Sequence, residues 1–159
     1  MEYRYSSDVK TQRRNYLFGY YNRPFLWFQR RFTGPLLIAL SAAEFILSSE
    51  KNGFTIALFF GIFGLFYTLR PFLMLRRIKF ESGGGTVSVT EDTISIADES
   101  GNFHVKAPEL LGIIPKKHYV FLKVQLRTVL YLLVDLNTLE NADAFLNELK
   151  SKYPEKFSA

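Results

Sequence analysis

The sequence predicts an α+β membrane protein in which a two-helix transmembrane hairpin is followed by a small β-rich domain with a C-terminal helix. Three observations support this fold class. Hydrophobic residues concentrate in two adjacent stretches, basic residues flank both stretches, and the C-terminal half changes to the alternating pattern of β-strands. With 159 residues, 48% of them hydrophobic and 16% aromatic, the chain has room for one modest globular domain beside the hairpin.

The apolar stretch at residues 53–75 is the strongest indication of a membrane span. It contains a single charged side chain, Arg70, and at about 1.5 Å per residue it is long enough to cross a hydrocarbon core of roughly 30 Å. The stretch before it, residues 34–49, is shorter and contains Glu44. Taken alone, the shorter stretch is also compatible with a buried core helix or a re-entrant segment.

Basic residues on both flanks decide the number of crossings. Arginines precede the first stretch and follow the second, whereas the loop at residues 50–52 has no net charge. The positive-inside rule then predicts two crossings, with both termini in the cytoplasm. Small residues at four-residue spacing would let the two helices approach closely; they are Ala39, Ala43, Gly53, Ala57 and Gly61.

This topology divides the chain into four parts. Residues 1–33 form an aromatic and basic juxtamembrane segment, in which Asp8 can begin a helix and Pro24 would break it. The transmembrane hairpin follows at residues 34–75, with helices at 34–49 and 53–75. The last two parts are a basic, Gly-rich linker at residues 76–85 and the cytoplasmic β domain with its C-terminal helix at residues 86–159.

The elements of the β domain are predicted from alternation and turn residues. Two valine and isoleucine pairs, at residues 87–89 and 94–96, flank a turn at residues 90–92 and predict a β-hairpin. An amphipathic helix is expected at residues 141–153, with Ala144, Phe145 and Leu149 on its apolar face. A second turn is predicted at residues 98–101, and further strands at residues 103–107, 119–124 and 129–135.

Charge separates the chain into a basic half and an acidic half. Residues 1–79 carry 12 Lys and Arg against 4 Asp and Glu, and residues 80–159 carry 8 against 11, so that +8 and −3 sum to +5. Because the basic residues lie beside apolar stretches, the lipid bilayer is the expected partner and nucleic acid is not. Candidate headgroup contacts are Arg30, Arg31, Arg76, Arg77, Lys79, Lys116 and Lys117.

Catalytic and cofactor chemistry find no support in the residue pattern. The chain has no cysteine, and its two histidines, His104 and His118, have no ligand-spaced partners. The Ser-Gly-Gly-Gly run at residues 82–85 lacks the lysine of a phosphate loop and is expected to form a flexible joint. We therefore predict a protein that is not an enzyme and that binds no metal and no cofactor.

Glu44 is the costliest residue in the predicted spans, at roughly 2.5–3.5 kcal/mol for a charge at the centre of a membrane helix. Ser41 and Ser48 lie three residues before and four residues after it, so the three side chains share one helix face. Two interpretations remain open. Glu44 either lies near the outer headgroups, or it makes a polar contact with another helix or a partner protein.

Taken in order, these features resemble the YcxB-like family of bacterial membrane proteins. The resemblance rests on the opening residues 2–5 with Asp8, on the Arg-flanked hairpin, on residues 91–94 and on residues 113–122. It implies a pleckstrin-homology-like β domain and the bacterial cytoplasmic (inner) membrane. Such a fold also invites headgroup binding by the basic cluster of Lys116, Lys117 and Lys123.

The sequence thus predicts a membrane-anchored protein-interaction module, which binds a protein partner of unknown identity near the bilayer. An immunity-type or regulatory protein of the inner membrane is one specific form of this prediction. The alternative is an accessory or pore-forming subunit of a transporter or channel, in which Glu44 would face the interior of a homo-oligomer or of a larger complex.

Overall fold

A computed structural model describes residues 1–47, 51–98 and 101–157 as a mixed α+β structure. In these residues it contains four α-helices and two antiparallel sheets. The chain divides into two compact units. We call Met1–Asn15 with Phe80–Ala159 the β unit, and Tyr16–Lys79 the helical unit.

The β unit contains two antiparallel sheets. The first has four strands in the order β1-β2-β3-β4, and the second has three in the order β5-β6-β7. Helix α4 (Ala142–Lys152) follows the second sheet. The strands are β1 Glu2–Ser7, β2 Gly83–Val89, β3 Thr93–Asp98, β4 Gly101–Lys106, β5 Leu110–Lys116, β6 Tyr119–Gln125 and β7 Val129–Asp135.

Alternating apolar residues of both sheets form one core, which α4 covers. Val89, Ile94 and Leu122 are completely buried, and so are Phe145 and Leu149 of α4. Ala144, which we predicted on the apolar face of this helix, is exposed. Ala142 and Leu146 pack against the core instead, because positions three and four residues apart share a helix face.

Several predicted elements are confirmed. The hairpin of β2 and β3 turns at residues 90–92, and β4, β6 and β7 lie close to their predicted bounds. The second predicted turn, at residues 98–101, lies partly outside the described residues. Strand β5 was not predicted, because Gly112 and Pro115 weaken the strand pattern. An edge position and a bulge between Leu110 and Gly112 accommodate these two residues.

The Gly-rich joint predicted at residues 82–85 is wrong, because Gly83–Gly85 begin β2. They pair with the N-terminal strand β1, and Tyr5 lies opposite Gly85. Glycine is required here, since a Cβ on Gly84 would lie 2.9 Å from the carbonyl oxygen of Tyr5. The opening residues therefore belong to the sheet, and the compact units differ from the predicted division at residues 1–33, 34–75, 76–85 and 86–159.

Helix α1 (Val9–Asn22) begins in the β unit and ends in the helical unit. The Asp8 carboxylate caps it by accepting a hydrogen bond from the Thr11 amide at 2.8 Å, as predicted. The hydrogen bonds with Thr11 lower the pKa of Asp8 below its ordinary value, and the smaller opposing effect of desolvation does not offset them. The helix ends before Pro24, and Phe25 adopts a left-handed conformation with φ of 68°.

The helical unit also contains α2 (Trp27–Leu47) and α3 (Lys51–Arg77), which pack against each other. A Cβ on Gly34 would lie 2.9 Å from the Thr68 backbone nitrogen, so only glycine permits this approach. At the next turn, a Cβ on Gly64 would lie 2.9 Å from the Ile38 backbone nitrogen. Contacts between small residues thus hold the pair together. Of the small residues we predicted, Ala57 is buried and Gly61 lies against Ser41, whereas Ala39 and Ala43 are exposed.

Among the described residues, one helix meets the length and composition expected of a membrane span. It covers Gly53–Arg77, and an 18-residue stretch within it has a mean hydropathy of 1.7 and is mostly exposed. Helix α2 does not meet the same standard, and it contains Arg30, Arg31 and Glu44. The two-crossing topology therefore stays a prediction.

Candidate functional site

A cleft of about 300 Å³ in the β unit combines apolar walls with buried polar groups. The inner face of the first sheet forms one wall, and β7 with the residues after it forms the other. Phe103, Ile96 and Val87 line the first wall, and Leu132 and Leu139 line the second. Because β7 pairs with β6 alone among the described strands, the second wall is an edge strand.

Asp135, the last residue of β7, is the principal polar group of this cleft. Its side chain is only 2% exposed. The Oδ1 atom accepts a hydrogen bond from the Asn137 amide at 3.1 Å, and the Thr138 hydroxyl donates to the Asp135 carbonyl oxygen at 2.7 Å. These two bonds cap the short 3₁₀ turn Leu136–Thr138 and fix the carboxylate in place.

The second carboxylate oxygen of Asp135, Oδ2, lacks a hydrogen-bond donor among the described residues. The Arg14 guanidinium supplies charge but not a well-formed hydrogen bond, since its Nη2 atom lies 3.5 Å away. Arg14 is itself 57% exposed. A buried carboxylate oxygen without a donor is costly, so this cleft favours an occupant that brings an N–H group or a positive charge.

Other polar groups surround the cleft. Tyr119 donates a hydrogen bond from its hydroxyl to Asn15 Oδ1 at 3.0 Å. Burial raises the pKa of Tyr119, and the negative charge of Asp135 raises it further. Across the cleft, burial and the neighbouring Asp98 raise the pKa of Tyr5. Both phenols therefore stay protonated at neutral pH, and the charge of the cleft comes from its carboxylates and Arg14.

The predicted polar stripe of Ser41, Glu44 and Ser48 lies in the helical unit, and the structure does not bring it together as one site. The Ser41 hydroxyl donates to the Ala57 carbonyl oxygen at 2.6 Å and so joins α2 to α3. Glu44 is half-buried. Ser48 lies outside the described residues.

The predicted basic residues of the helical unit fall into two groups. Arg30 and Arg31 are fixed by hydrogen bonds, from Arg30 Nη1 to the Tyr20 carbonyl oxygen at 2.9 Å and from Arg31 Nη2 to Asn22 Oδ1 at 2.8 Å. The other three are exposed at the end of α3 or just after it; they are Arg76, Arg77 and Lys79.

The predicted basic cluster of the β unit is only partly formed. Lys116 and Lys117 lie at the turn between β5 and β6, where Lys117 has a left-handed φ of 57°. Lys123 pairs with Gly112, at the other end of this hairpin. Lys123 lies four residues after Tyr119, where β6 begins at the turn. Four residues along a strand correspond to about 13 Å, so Lys123 lies apart from Lys116 and Lys117.

The two histidines have ordinary neighbours. His104 Nδ1 lies 2.8 Å from the Ser95 hydroxyl, and the His118 ring lies 4.1 Å from the Tyr119 ring. In the described part of the chain, no group of three or more metal-ligating side chains comes together.

Sequence reasoning missed the cleft, because its walls are far apart in the chain. One local signal was present: Asp135 directly follows the apolar run of residues 129–134, where a carboxylate has to be either a cap or a functional group. Tyr5, Arg14 and Asn15 carried no such signal, because we assigned them to a juxtamembrane segment.

In comparison with known proteins, no family model, no curated protein and no solved structure matches the chain.

Proposed function

We propose that this protein is a membrane-anchored protein-interaction module of a bacterial inner membrane, with both termini in the cytoplasm. One observation carries the proposal. Of the 27 large hydrophobic side chains that are exposed in the described residues, 23 lie between Phe25 and Ile78, on helices α2 and α3 or beside them. Apolar surface on this scale is stable in lipid and costly in water.

Two membrane crossings remain part of this proposal. Helix α3 supplies the long apolar segment, and α2 packs along it and exposes apolar side chains of its own, such as Leu36, Phe45 and Ile46. With Arg30 near the start of α2 and Arg76 near the end of α3, the basic residues lie at the same end of the pair, as the positive-inside rule requires for a hairpin.

The architecture of the β unit supports the pleckstrin-homology-like part of the proposal. Two antiparallel sheets followed by a C-terminal helix agree with the small β domain ending in a helix that the resemblance to the YcxB-like family implies. In this chain the first strand comes from residues 2–7, ahead of the helical unit. Fold alone does not assign a partner, so the shape and charge of the cleft have to indicate which partner binds.

We propose that the occupant of the cleft is an extended peptide segment of a partner protein that carries a lysine or arginine. The volume of about 300 Å³ suits one or two side chains, and the apolar walls suit the stem of a long basic residue. Asp135 Oδ2 and the exposed Asp98 supply negative charge at this cleft. The edge strand β7 offers backbone groups to an added strand.

A photo-crosslinking residue at Leu132 tests the interaction. In the full-length protein in native membranes, benzoyl-phenylalanine at Leu132 should crosslink to one partner, within a segment that carries a lysine or arginine. The matched control is the same residue at Leu111, which is 44% exposed on β5 and does not line the cleft. A synthetic peptide of the captured segment should then bind the purified protein, and replacing its basic residue by glutamine should weaken binding at least tenfold.

Equal crosslinking from both positions, or a captured segment without a basic residue, would contradict the cleft as the docking site. Membrane anchoring is checked separately by washing the membranes with alkaline carbonate. Integral proteins stay in the pellet under these conditions, and release of the protein into the wash would contradict the anchoring.

The channel or transporter subunit remains the alternative, and one observation favours it: Glu44 is half-buried and makes no hydrogen bond or ion pair with another described residue. In that role, Glu44→Leu should abolish transport by the complex, whereas Glu44→Gln should retain part of the transport activity. If the interaction module is correct, both variants keep crosslinking at Leu132.

A further inference from the structure

Two arginines from different helices meet at one end of the α2–α3 pair. Gly34 lies against Thr68, so Arg30, one turn before Gly34, comes beside Arg70, two residues after Thr68. Arg30, Arg70 and Gly34 line one pocket of about 140 Å³, together with Tyr20 and Tyr67. This volume lies below the roughly 300–1,000 Å³ of pockets for drug-sized ligands, so it suits one small group.

Arg30 is held in position before any ligand binds. Its Nη1 atom donates to the Tyr20 carbonyl oxygen at 2.9 Å, and its guanidinium carbon lies 4.4 Å from the centre of the Tyr20 ring. A guanidinium has five N–H donors. Most of those donors therefore stay available to an acceptor in the pocket, and the stacking on Tyr20 lowers the entropy that binding would cost.

Electrostatic effects on a neighbouring tyrosine also place the two arginines together. Burial raises the pKa of Tyr16, and the positive charges of Arg30 and Arg70 both oppose that rise. Both guanidiniums therefore lie within electrostatic reach of a single phenol.

Among the described residues of the helical unit, the one carboxylate, that of Glu44, lies far from this pair. Between residues 16 and 79 the sequence contains two acidic residues, Glu44 and Glu50, against eight Lys and Arg. Glu44 is 14 residues from Arg30 along α2, which corresponds to about 21 Å. Two close cations without an internal counter-charge repel each other unless an anion is bound between them.

We propose that the pocket between Arg30 and Arg70 binds a phosphate group, and that in the membrane this is the phosphate of an anionic phospholipid. Tetrahedral phosphate accepts bidentate hydrogen bonds from guanidinium, and its size fits a small pocket. The lipid source rests on the proposed membrane anchoring, because Arg30 and Arg70 then lie at the cytoplasmic headgroup level. A free phosphate is the other source of the same chemistry.

The test compares two double variants of the full-length protein. Arg30→Gln/Arg70→Gln removes the pocket charges, and Arg76→Gln/Arg77→Gln removes the same charge from the exposed end of α3, outside the pocket. Each protein is purified in nanodiscs of phosphatidylcholine with one part in five phosphatidylglycerol, released into detergent, and examined by native mass spectrometry. The wild type and the Arg76/Arg77 variant should retain phosphatidylglycerol, and the pocket variant should retain at least tenfold less.

Equal retention by the two variants would overturn the proposal, since general surface charge would then explain binding. If the pocket double variant fails to fold, the single variant Arg70→Gln replaces it, because Arg70 is exposed and its substitution should be tolerated. The single variant should also lose most of the retained lipid.

A second arm distinguishes the source of phosphate. The detergent-solubilised wild type is titrated with inorganic phosphate alone. One outcome is that the wild type binds phosphate saturably, the pocket variants do not, and no protein retains lipid. The phosphate site would then be supported, and the proposal that its ligand is a phospholipid would be wrong. The carbonate wash reports on anchoring independently. No binding of either phosphate source overturns the site even if the protein stays in the membrane.

Discussion

The β unit and the helical unit place their apolar side chains in opposite environments. In the β unit, valine, isoleucine, leucine and phenylalanine form a closed core, and among its described residues only four large hydrophobic side chains are exposed: Met1, Leu111, Leu126 and Leu130. In the helical unit, apolar side chains point outward along both long helices, and small residues occupy the contact between them. Under the proposed membrane anchoring, water around the β unit and lipid around the helical unit account for this contrast.

Stability should therefore have a different origin in each unit. The β unit depends on the hydrophobic effect, which scales with the apolar area removed from water. If the helical unit lies in lipid as proposed, no such driving force acts between its helices, and close backbone approach and a few hydrogen bonds, such as that of Ser41, hold α2 against α3. The same substitution should consequently have unequal effects in the two units.

The largest expected difference comes from Phe145→Ala and Phe72→Ala. Phe145 is completely buried and packs edge-on against Tyr3 at 5.4 Å, whereas Phe72 is 48% exposed on α3. Removing a buried phenylalanine typically costs about 3–5 kcal/mol. We expect Phe145→Ala to reduce the stability of the β unit by this amount, and Phe72→Ala to change it by less than about 1 kcal/mol.

Hydrogen exchange of the β6 peptides, in full-length protein held in nanodiscs, measures the stability of the β unit for both variants. If Phe72→Ala raises exchange in β6 as much as Phe145→Ala does, the two units do not have separate sources of stability.

A smaller effect is expected from Gly64→Ala at the helix contact. A Cβ at this position would lie 2.9 Å from the Ile38 backbone nitrogen and 3.0 Å from the Gly34 carbonyl oxygen, so the helices have to separate. Overpacking of this kind typically costs about 1–3 kcal/mol. Gly101→Ala, a change at an exposed glycine of the β unit, would leave the helix pair unaffected.

An engineered disulfide measures that separation. A Cβ on Gly61 would lie 3.7 Å from the Cβ of Ser41, inside the roughly 3.5–4.5 Å range of disulfides, and the chain has no cysteine of its own. Ser41→Cys/Gly61→Cys should therefore crosslink readily, and adding Gly64→Ala should slow the reaction about tenfold. Ala43→Cys/Gly61→Cys is the control pair. Equal crosslinking of both pairs would show that α2 and α3 do not pack at this register.

Elements with local signals could be predicted from sequence. The β2–β3 hairpin has alternation and a turn in one window, α4 has a helical period, and Pro24 ends a helix by steric exclusion. Strand β1 has no such signal, since its partners lie some 80 residues away. Gly83–Gly85 therefore look like a flexible joint in the sequence, because no neighbouring residue indicates that Tyr5 will pair with Gly85.

Candidate site residues could be predicted where the residue type and its neighbours in the sequence indicate a role. The arginines beside the apolar stretches were found in this way, and Arg30 now has a defined environment. Arg70 was noted only as a charge at the end of a span, because its closeness to Arg30 depends on the approach of Gly34 to Thr68. The cleft at Asp135 was missed for a similar reason, since β1, α1 and β7 meet only in the folded chain.

The smallest predicted effect separates the units by pH. Glu148 accepts hydrogen bonds from the Tyr3 hydroxyl and the Lys152 ammonium, each at 2.6 Å. Burial tends to raise the pKa of Glu148, but these bonds and the amino group of Met1 outweigh it and lower that pKa from 4.5 to about 2. The same cluster raises the pKa of Tyr3 to about 12, through burial first and then through its bond to Glu148.

A carboxylate whose pKa is lower in the folded state stabilises that state above its unfolded pKa, and the stabilisation is lost as the pH falls toward the folded value. For Glu148 the window lies between about pH 5 and pH 2. The full pKa difference corresponds to roughly 3 kcal/mol, but water at the edge of the unit screens these charges, so we expect about 1–2 kcal/mol.

Glu148→Gln should thus destabilise the β unit at pH 7 and have almost no effect near pH 2, as measured by hydrogen exchange corrected for intrinsic rates. The matched control is Glu91→Gln, a change at an exposed turn that should have no effect at either pH. Protection of α2 and α3 should change far less across this range, because Glu44 is the only described carboxylate of the helical unit. Parallel loss of protection in both units would mean that the β unit and the helix pair unfold together, and the contrast in their stabilising forces would then have no energetic consequence.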